Sequence, residues 1–172
     1  IPGWDAAGTV DQVGDDVEGF AAGDPVYAYC RKDVVSDGCY AEYVTVPAQY
    51  AARRPDNVSV QEAAGVPLAA LTAWQSLFDA AELRGTEHVL IHAAAGGVGQ
   101  LLVQVAKSRG ARVLATVSTE AKAELARKAG ADEVILYSRK DFEEEVKRLT
   151  EGAGVQAVYD GVGQATFLGR LA

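Results

Sequence analysis

A regular alternation of apolar runs and amphipathic stretches in the second half of the chain constrains the fold more than any other feature. Continuous apolar runs are typical of strands covered on both faces, and Ala121, Leu125 and Ala129 keep helical spacing. The pattern predicts a parallel, doubly wound sheet of the α/β class. The predicted strands are Val89–Ile91, Ala111–Val117, Glu133–Tyr137 and Val155–Asp160, and the predicted helices are Gln100–Arg109, Thr119–Ala129 and Asp141–Thr150.

Local signals mark where these helices begin and end. Gly110, Gly130 and Gly152 stand where a left-handed residue ends a helix. Ser118 or Thr119 can cap the start of the second helix.

A glycine-rich turn, His92–Gly99, lies between the first strand and the first helix. In such a turn Ala94 and Gly96 allow close approach of phosphates, Gly99 lets the helix pack closely, and the helix N-terminus offers free N–H groups to an anion. The turn therefore predicts binding of a dinucleotide pyrophosphate. Glycines also serve turns that bind nothing, which is the alternative interpretation.

The end of the second strand indicates which dinucleotide is preferred. A carboxylate at this strand end would bind the ribose hydroxyls, but residues 115–119 contain none and the first is Glu120. Ser118 and Lys122 instead offer a hydroxyl and an ammonium group to a 2′-phosphate. This favours NADP(H). Tyr137 can pack beside the same ribose or at the sheet rim, and Lys122 can equally be a solvated helix residue.

The first sixty residues have a different pattern. Ala7–Gly14, Gly23–Tyr27 and Tyr40–Pro47 are short segments bounded by turn signals, the first and last of them alternating, and they predict strands of a small antiparallel barrel. A loop and a long helical stretch, about Ser59–Ala81, follow. We therefore predict two domains, residues 1–60 and residues 61–172.

Composition predicts a soluble, cytoplasmic protein. The chain has 172 residues, a formal net charge of −8 and 49% hydrophobic residues, with no apolar run of membrane-spanning length. The negative charge disfavours partners such as nucleic acid or an anionic membrane. Cys30 and Cys39 lie in unrelated surroundings, which argues against a disulfide framework and suits a reducing compartment.

Six motifs together resemble the medium-chain dehydrogenase/reductase superfamily, in its zinc-free quinone oxidoreductase (zeta-crystallin-like) and enoyl reductase branch. They are Gly3–Val10, Gly23–Val26, Asp37–Tyr43, Leu71–Trp74, His92–Gly99 and Val158–Gly163. The resemblance implies part of a GroES-like antiparallel β-barrel domain followed by part of a Rossmann-type dinucleotide-binding domain.

The resemblance also bears on zinc. Zinc-dependent relatives carry a His-Glu pair where this chain has Trp4 and Asp5, and Leu68 replaces a ligand cysteine. The structural zinc lobe of such relatives needs four closely spaced cysteines, and this chain has two without a CxxC knuckle. We therefore expect no metal.

The activity implied by the resemblance is an NADPH-dependent hydride transfer to a quinone or an α,β-unsaturated carbonyl. The implied cofactor-binding residues are Thr72 on the nicotinamide side, Ala95, Gly96, Gly97, Val98 and Gly99 at the pyrophosphate, and Ser118, Lys122 and Tyr137 at the 2′-phosphoribose. No catalytic acid can be identified. Asp5, Tyr40 and His92 are chemically suitable, but a turn residue, a barrel-packing tyrosine and a core histidine bonded to the backbone are the preferred alternatives.

Two other functions stay open. One is an enoyl-thioester reductase, free-standing or a module of a larger synthase, and the other is a non-catalytic NADPH-binding protein. The family pattern extends further on both sides, so we expect the chain to be a fragment of a larger reductase or only part of a longer chain. The whole protein is expected to be a homo-oligomer.

Overall fold

The computed structural model describes residues 1–33 and 36–167, and these form two compact units, residues 1–69 and the part of 70–172 that is described. The predicted dinucleotide-binding domain runs to residue 172, so its positions 168–172 lie outside the described residues.

The N-terminal unit is built on an antiparallel sheet. Among its described residues the sheet has the order β1-β2-β3, with β1 at Asp5–Thr9, β2 at Pro25–Tyr29 and β3 at Ala51–Arg53. Ala7 lies opposite Tyr27, and Tyr27 lies opposite Ala52. Gly23, with a φ of +93°, turns the chain into β2, as its sequence signal predicts.

A helical segment follows the sheet and agrees with the predicted stretch. It consists of α1 (Val60–Ala64), α2 (Pro67–Trp74) and a π-helical turn at Gln75–Ala80. Ser59 and Glu62 form a reciprocal capping box at the start of α1, which satisfies backbone N–H groups that the helix leaves free.

One predicted strand is wrong. Residues 40–47 form no strand in the structure, and the side chains of Tyr40 and Tyr43 are 79% and 75% exposed. The alternation there reflects local preference only, because a strand also needs a neighbour to pair with along its length.

The C-terminal unit is built on a parallel sheet. In the described part of the chain its order is β6-β5-β4-β7, formed by β4 (His88–Ile91), β5 (Arg112–Val117), β6 (Glu133–Leu136) and β7 (Ala157–Tyr159). The helices of this unit are α3 (Gly97–Ser108), α4 (Glu120–Ala129), α5 (Phe142–Leu149) and α6 (Gln164–Phe167). No described helix has the length and apolar character that crossing a membrane requires.

The core explains why the strands are apolar on both faces. Val89, Ile91 and Val113 pack in one cluster with residues of α3 and α4. Leu90 and Leu114 point the other way and pack with Val146 of α5. Since successive strand residues serve opposite layers, the doubly wound α/β arrangement is confirmed.

The predicted helix boundaries are confirmed within a few residues. Gly110, Gly130 and Gly152 have φ values of +94°, +108° and +86°. Thr119, rather than Ser118, caps α4 by accepting a hydrogen bond from the Lys122 N–H. The Asp141 carboxylate caps α5 in the same way.

Candidate functional site

The turn between β4 and α3 is held in place by several hydrogen bonds. Ala93 has a φ of +50°, so the left-handed residue of the turn is an alanine and not one of the glycines. The Ala94 backbone N–H donates to the Thr116 carbonyl at 3.3 Å, and the side-chain amide of Gln100 donates to the Ala95 carbonyl at 3.0 Å. Sequence reasoning missed both Ala93 and Gln100, because neither residue type signals a turn by itself.

The three glycines of the turn differ in what surrounds them. A Cβ atom at Gly99 would overlap the Ala93 carbonyl oxygen and lie 2.8 Å from the Ala94 Cα. A Cβ atom at Gly96 would lie 3.2 Å from the Ala93 oxygen, whereas one at Gly97 would meet open space. Gly99 therefore serves the packing of α3 against the turn, and the exposed backbone of Gly97 is accessible from outside.

The start of α3 is suited to an anion. No side chain caps it at Gly96, and its first turn contains no acidic residue. By contrast, α4 and α5 have side-chain caps and acidic residues in their first turns. Neither a capping side chain nor an acidic residue therefore neutralises the free N–H groups and the positive end of the helix dipole at the start of α3.

This turn also lies where the sheet topology places a ligand. Along the sheet, β5 and β6 lie on one side of β4 and β7 lies on the other, so the connections reverse direction next to β4. In open α/β sheets the crevice at the carboxyl ends of the strands, at such a reversal, is the usual binding position.

Three predicted residues lie together at the neighbouring strand ends. Ser118 directly follows β5, and the Lys122 ammonium group donates a hydrogen bond to its hydroxyl at 3.2 Å. Tyr137 directly follows β6, its N–H donates to Val117 at 3.2 Å, and its side chain is 52% exposed. Glu120 pairs with Arg127 at 3.0 Å, so its charge is compensated by a residue other than Lys122.

Thr72 is placed on a separate element. It lies on α2 and is exposed, and the hydrogen bonds of the glycine-rich turn described above do not include it. Ala95 and Val98 are half-buried within the turn itself.

His92 is a core residue. It is 4% exposed, its Nδ1 lies 2.8 Å from the Thr116 hydroxyl, and its ring packs edge-on against Phe142. The preferred interpretation of a core histidine therefore holds, with a side-chain hydroxyl as partner rather than the expected backbone group. Thr116 escaped sequence analysis because it lies inside an apolar strand.

Asp5 and Tyr40 lie in the N-terminal unit. The Asp5 carboxylate accepts a hydrogen bond from the Leu68 N–H at 2.7 Å, near the start of α2, so it serves a helix start rather than the expected turn. Burial raises the pKa of Asp5, and the hydrogen bond from Leu68 opposes this only in part. Tyr40 is exposed, and its predicted packing in a barrel is wrong.

A turn at the end of β7 is organised by a carboxylate. Asp160 accepts hydrogen bonds from the N–H groups of Val162 and Gly163 and from the Thr166 hydroxyl, at 2.8, 3.0 and 2.8 Å. Burial would raise the pKa of Asp160, but these hydrogen bonds outweigh it and the pKa is lowered. The Asp-Gly-Val-Gly sequence was the available signal for this turn.

The N-terminal unit also contains an open cleft of about 730 Å³. Its lining includes Asp5, Tyr27, Cys30 and Cys39. Among the described residues, no group of three or more His, Cys, Asp or Glu side chains could hold a metal ion.

Comparison with protein families covers both units. Residues 1–56 match the family described as alcohol dehydrogenase GroES-like domain, and residues 97–171 match the family described as zinc-binding dehydrogenase.

Individual proteins match nearly the whole chain. A 2-haloacrylate reductase of a Burkholderia species is 39% identical over 169 residues, which cover 97% of this chain and 50% of that protein. A mycocerosic acid synthase-like polyketide synthase of Mycobacterium tuberculosis is 37% identical over 169 residues, which cover 98% of this chain and 8% of the synthase.

The fold matches a solved structure of Escherichia coli quinone oxidoreductase complexed with NADPH. The TM-score is 0.86 and the identity 39%, over 99% of this chain and 51% of that chain. The chain therefore spans about half the length of the quinone oxidoreductases and the 2-haloacrylate reductase that it matches.

Proposed function

The chain belongs to the medium-chain dehydrogenase/reductase superfamily, in its quinone oxidoreductase branch, and we propose that it binds NADPH as part of a reductase. The whole protein would transfer hydride to a quinone or an α,β-unsaturated carbonyl, without zinc. The uncapped start of α3, beside the exposed Gly97 backbone and at the reversal of the sheet, carries the proposal.

The residues of the turn fit the pyrophosphate of a dinucleotide. The N–H groups of Gly97, Val98 and Gly99 would bind its oxygens, since they stand in the first turn of α3. The open space beside Gly97 is what close approach of a phosphate requires, because a side chain there would occupy it. Ala95 and Gly96 complete the turn that brings these groups together.

Residues at the next strand ends support the preference for NADPH. The Ser118 hydroxyl and the Lys122 ammonium group together can bind a 2′-phosphate, and Tyr137 can pack beside the ribose. The pairing of Glu120 with Arg127 leaves the Lys122 charge available for an anion. Thr72 remains our proposal for the nicotinamide side.

Bound NADPH would supply the hydride, and the protein would supply binding and orientation. The backbone of the α3 turn fixes the pyrophosphate, and the hydroxyl–ammonium pair fixes the adenosine end. His92 supports the turn from the core. Its backbone N–H donates to the Tyr159 carbonyl, and its ring nitrogen Nδ1 contacts the Thr116 hydroxyl. We assign no proton-donating residue.

Parallel titrations of the 172-residue chain with NADPH and NADH test the binding proposal. Binding can be followed by tryptophan fluorescence, since Trp74 belongs to the C-terminal unit. We expect NADPH to bind more tightly than NADH. Equal or absent binding of both to a folded chain would contradict the proposal.

A second candidate is an enoyl-thioester reductase module, which the match to a polyketide synthase favours. Both candidates predict NADPH binding, so the acceptor must distinguish them. The full-length protein should be assayed with a benzoquinone, a cyclic enone and an enoyl thioester, following NADPH absorbance. Preference for the thioester would favour the module, and binding without turnover on any acceptor would favour a non-catalytic protein.

A further inference from the structure

Two cysteines of the N-terminal unit line the same cleft, although nine positions separate them in the sequence. Cys30 directly follows β2 and is buried, whereas Cys39 is partly exposed. Both are free; the Cys30 thiol donates a hydrogen bond to the Ala28 carbonyl at 3.7 Å, and the neighbouring Cys39 thiol helps to raise the pKa of Cys30. The prediction that they lie in unrelated surroundings is therefore wrong.

The same short segment holds both cysteine backbones. The Cys30 N–H donates to the Trp4 carbonyl at 2.6 Å, and the Cys39 N–H donates to the Gly3 carbonyl at 3.1 Å. Gly3 and Trp4 are consecutive, so the two cysteines are fixed against neighbouring peptide groups. The backbone of one short segment thus anchors both cysteines.

Two glycines allow this close approach. Gly3 has a φ of +105°, and a Cβ atom there would lie 3.0 Å from the Cys39 nitrogen. A Cβ atom at Gly38 would overlap the Pro2 carbonyl and lie 2.6 Å from the Gly3 carbonyl oxygen. A larger residue at either position would push the segment at residues 38–40 away from the segment at residues 2–3.

We propose that Cys30 and Cys39 form a reversible dithiol–disulfide site that exchanges with small-molecule disulfides of the glutathione class. Both residues line the open cleft of the N-terminal unit, which gives the reagent access. The proposed site is a place of covalent modification within the N-terminal unit.

The exchange proceeds in two balanced steps. The Cys39 thiolate attacks oxidised glutathione, which forms a mixed disulfide at Cys39 and releases one glutathione thiolate. The Cys30 thiol then loses its proton to solvent and attacks the Cys39 sulfur, which forms the Cys30–Cys39 disulfide and releases the second glutathione. Two protein thiols are oxidised, and one glutathione disulfide is reduced to two thiols.

The environment of Cys30 decides which cysteine reacts first. Burial, followed by the neighbouring Cys39 thiol and the Asp5 carboxylate, raises the pKa of Cys30 to about 12, although Lys32 opposes the shift. Cys30 is therefore a poor nucleophile at neutral pH, and the partly exposed Cys39 reacts first. The second step should become faster as the pH rises, because the thiolate fraction of Cys30 rises with it.

Equilibration of the 172-residue chain in glutathione buffers of graded redox ratio tests the proposal. Samples are quenched with acid, and their masses distinguish the dithiol, the glutathione adduct and the internal disulfide. The same series in urea provides the reference in which the native arrangement is absent. We expect the folded chain to favour the internal disulfide at least about tenfold more than the unfolded chain.

Single variants check the order of attack. Cys30→Ser should accumulate the stable glutathione adduct at Cys39, and Cys39→Ser should remain reduced while it is folded, as checked by circular dichroism. The proposal is overturned if folded and unfolded wild-type chains form the internal disulfide equally. It is also overturned if oxidation yields disulfide-linked dimers, which non-reducing electrophoresis would detect.

Discussion

Gly99 lies against the backbone of Ala93 and Ala94 so closely that a Cβ atom there would overlap the Ala93 carbonyl oxygen. Helix α3 can therefore begin at this turn only because position 99 has no side chain. We expect Gly99→Val to destabilise the C-terminal unit by about 2 kcal/mol and to abolish NADPH binding, since the turn must move away from the helix. Urea unfolding and fluorescence titration measure the two effects.

Gly97→Ala is the matched control, because a Cβ atom at Gly97 meets open space. Its unfolding midpoint should stay close to wild type while NADPH binding weakens, because the new methyl group occupies the space proposed for a phosphate. A Gly97→Ala chain that binds NADPH with unchanged affinity would show that this space is not used.

Lys122→Ala should weaken NADPH binding about tenfold and NADH binding by less than about twofold, since only NADPH carries the 2′-phosphate. Lys128→Ala lies on the same helix α4 and removes the same charge farther from Ser118. It should leave the ratio of the two affinities unchanged. Equal losses of NADPH and NADH binding in Lys122→Ala would mean that this lysine does not read the phosphate.

Thr116→Val should lower the free energy of unfolding by about 1–3 kcal/mol, because it removes the buried hydroxyl that contacts His92 Nδ1 at 2.8 Å. Thr116→Ser keeps that hydroxyl and should lose less. Denaturant unfolding followed by circular dichroism compares the three chains. A Thr116→Val chain as stable as wild type would show that the hydrogen bond adds no net stability, because valine keeps the methyl group and the shape of the side chain.

The Asp132 carboxylate should contribute pH-dependent stability. Burial would raise its pKa, but the Lys107 ammonium group at 2.8 Å and the Val113 N–H at 2.7 Å outweigh burial, and the pKa is lowered. A lowered folded-state pKa stabilises the fold above the ordinary carboxyl pKa of about 3.9, and this stabilisation is lost as the pH falls through the folded-state value.

Asp132→Asn should therefore be less stable than wild type at pH 7, by about 0.5–1 kcal/mol. The difference should shrink steadily below about pH 4. Asp56→Asn removes a carboxylate in an exposed loop and serves as the control with which the Asp132→Asn series is compared. An Asp132→Asn deficit of constant size from pH 7 to pH 3 would contradict an electrostatic origin.

The C-terminal unit was predictable because its signals are local. An apolar run, a capping residue such as Thr119 and a terminal glycine such as Gly130 each act within a few residues. The proximity of Ser118 and Lys122 follows from their four-residue spacing at a helix start. The left-handed Ala93 was not predictable, because alanine has no local preference for that conformation.

The N-terminal unit depends on contacts that the sequence does not display. Tyr40–Pro47 alternates like a strand, yet pairing requires a partner segment that no local pattern specifies. The meeting of Cys30 and Cys39 likewise depends on Gly3 and Gly38, whose crowding appears only when distant segments pack. The sequence identifies both residues as thiols, but it does not show that they lie in the same part of the fold.

The hydrogen bond between the Asp5 carboxylate and the Leu68 N–H joins residues 63 positions apart. Closing so long a loop costs chain entropy before the contact returns any stability, so this bond should form late in folding. Its loss should then speed unfolding while leaving the folding rate nearly unchanged. The link between β1 and the start of α2 thus contributes to how long the native N-terminal unit persists, rather than to how quickly it is reached.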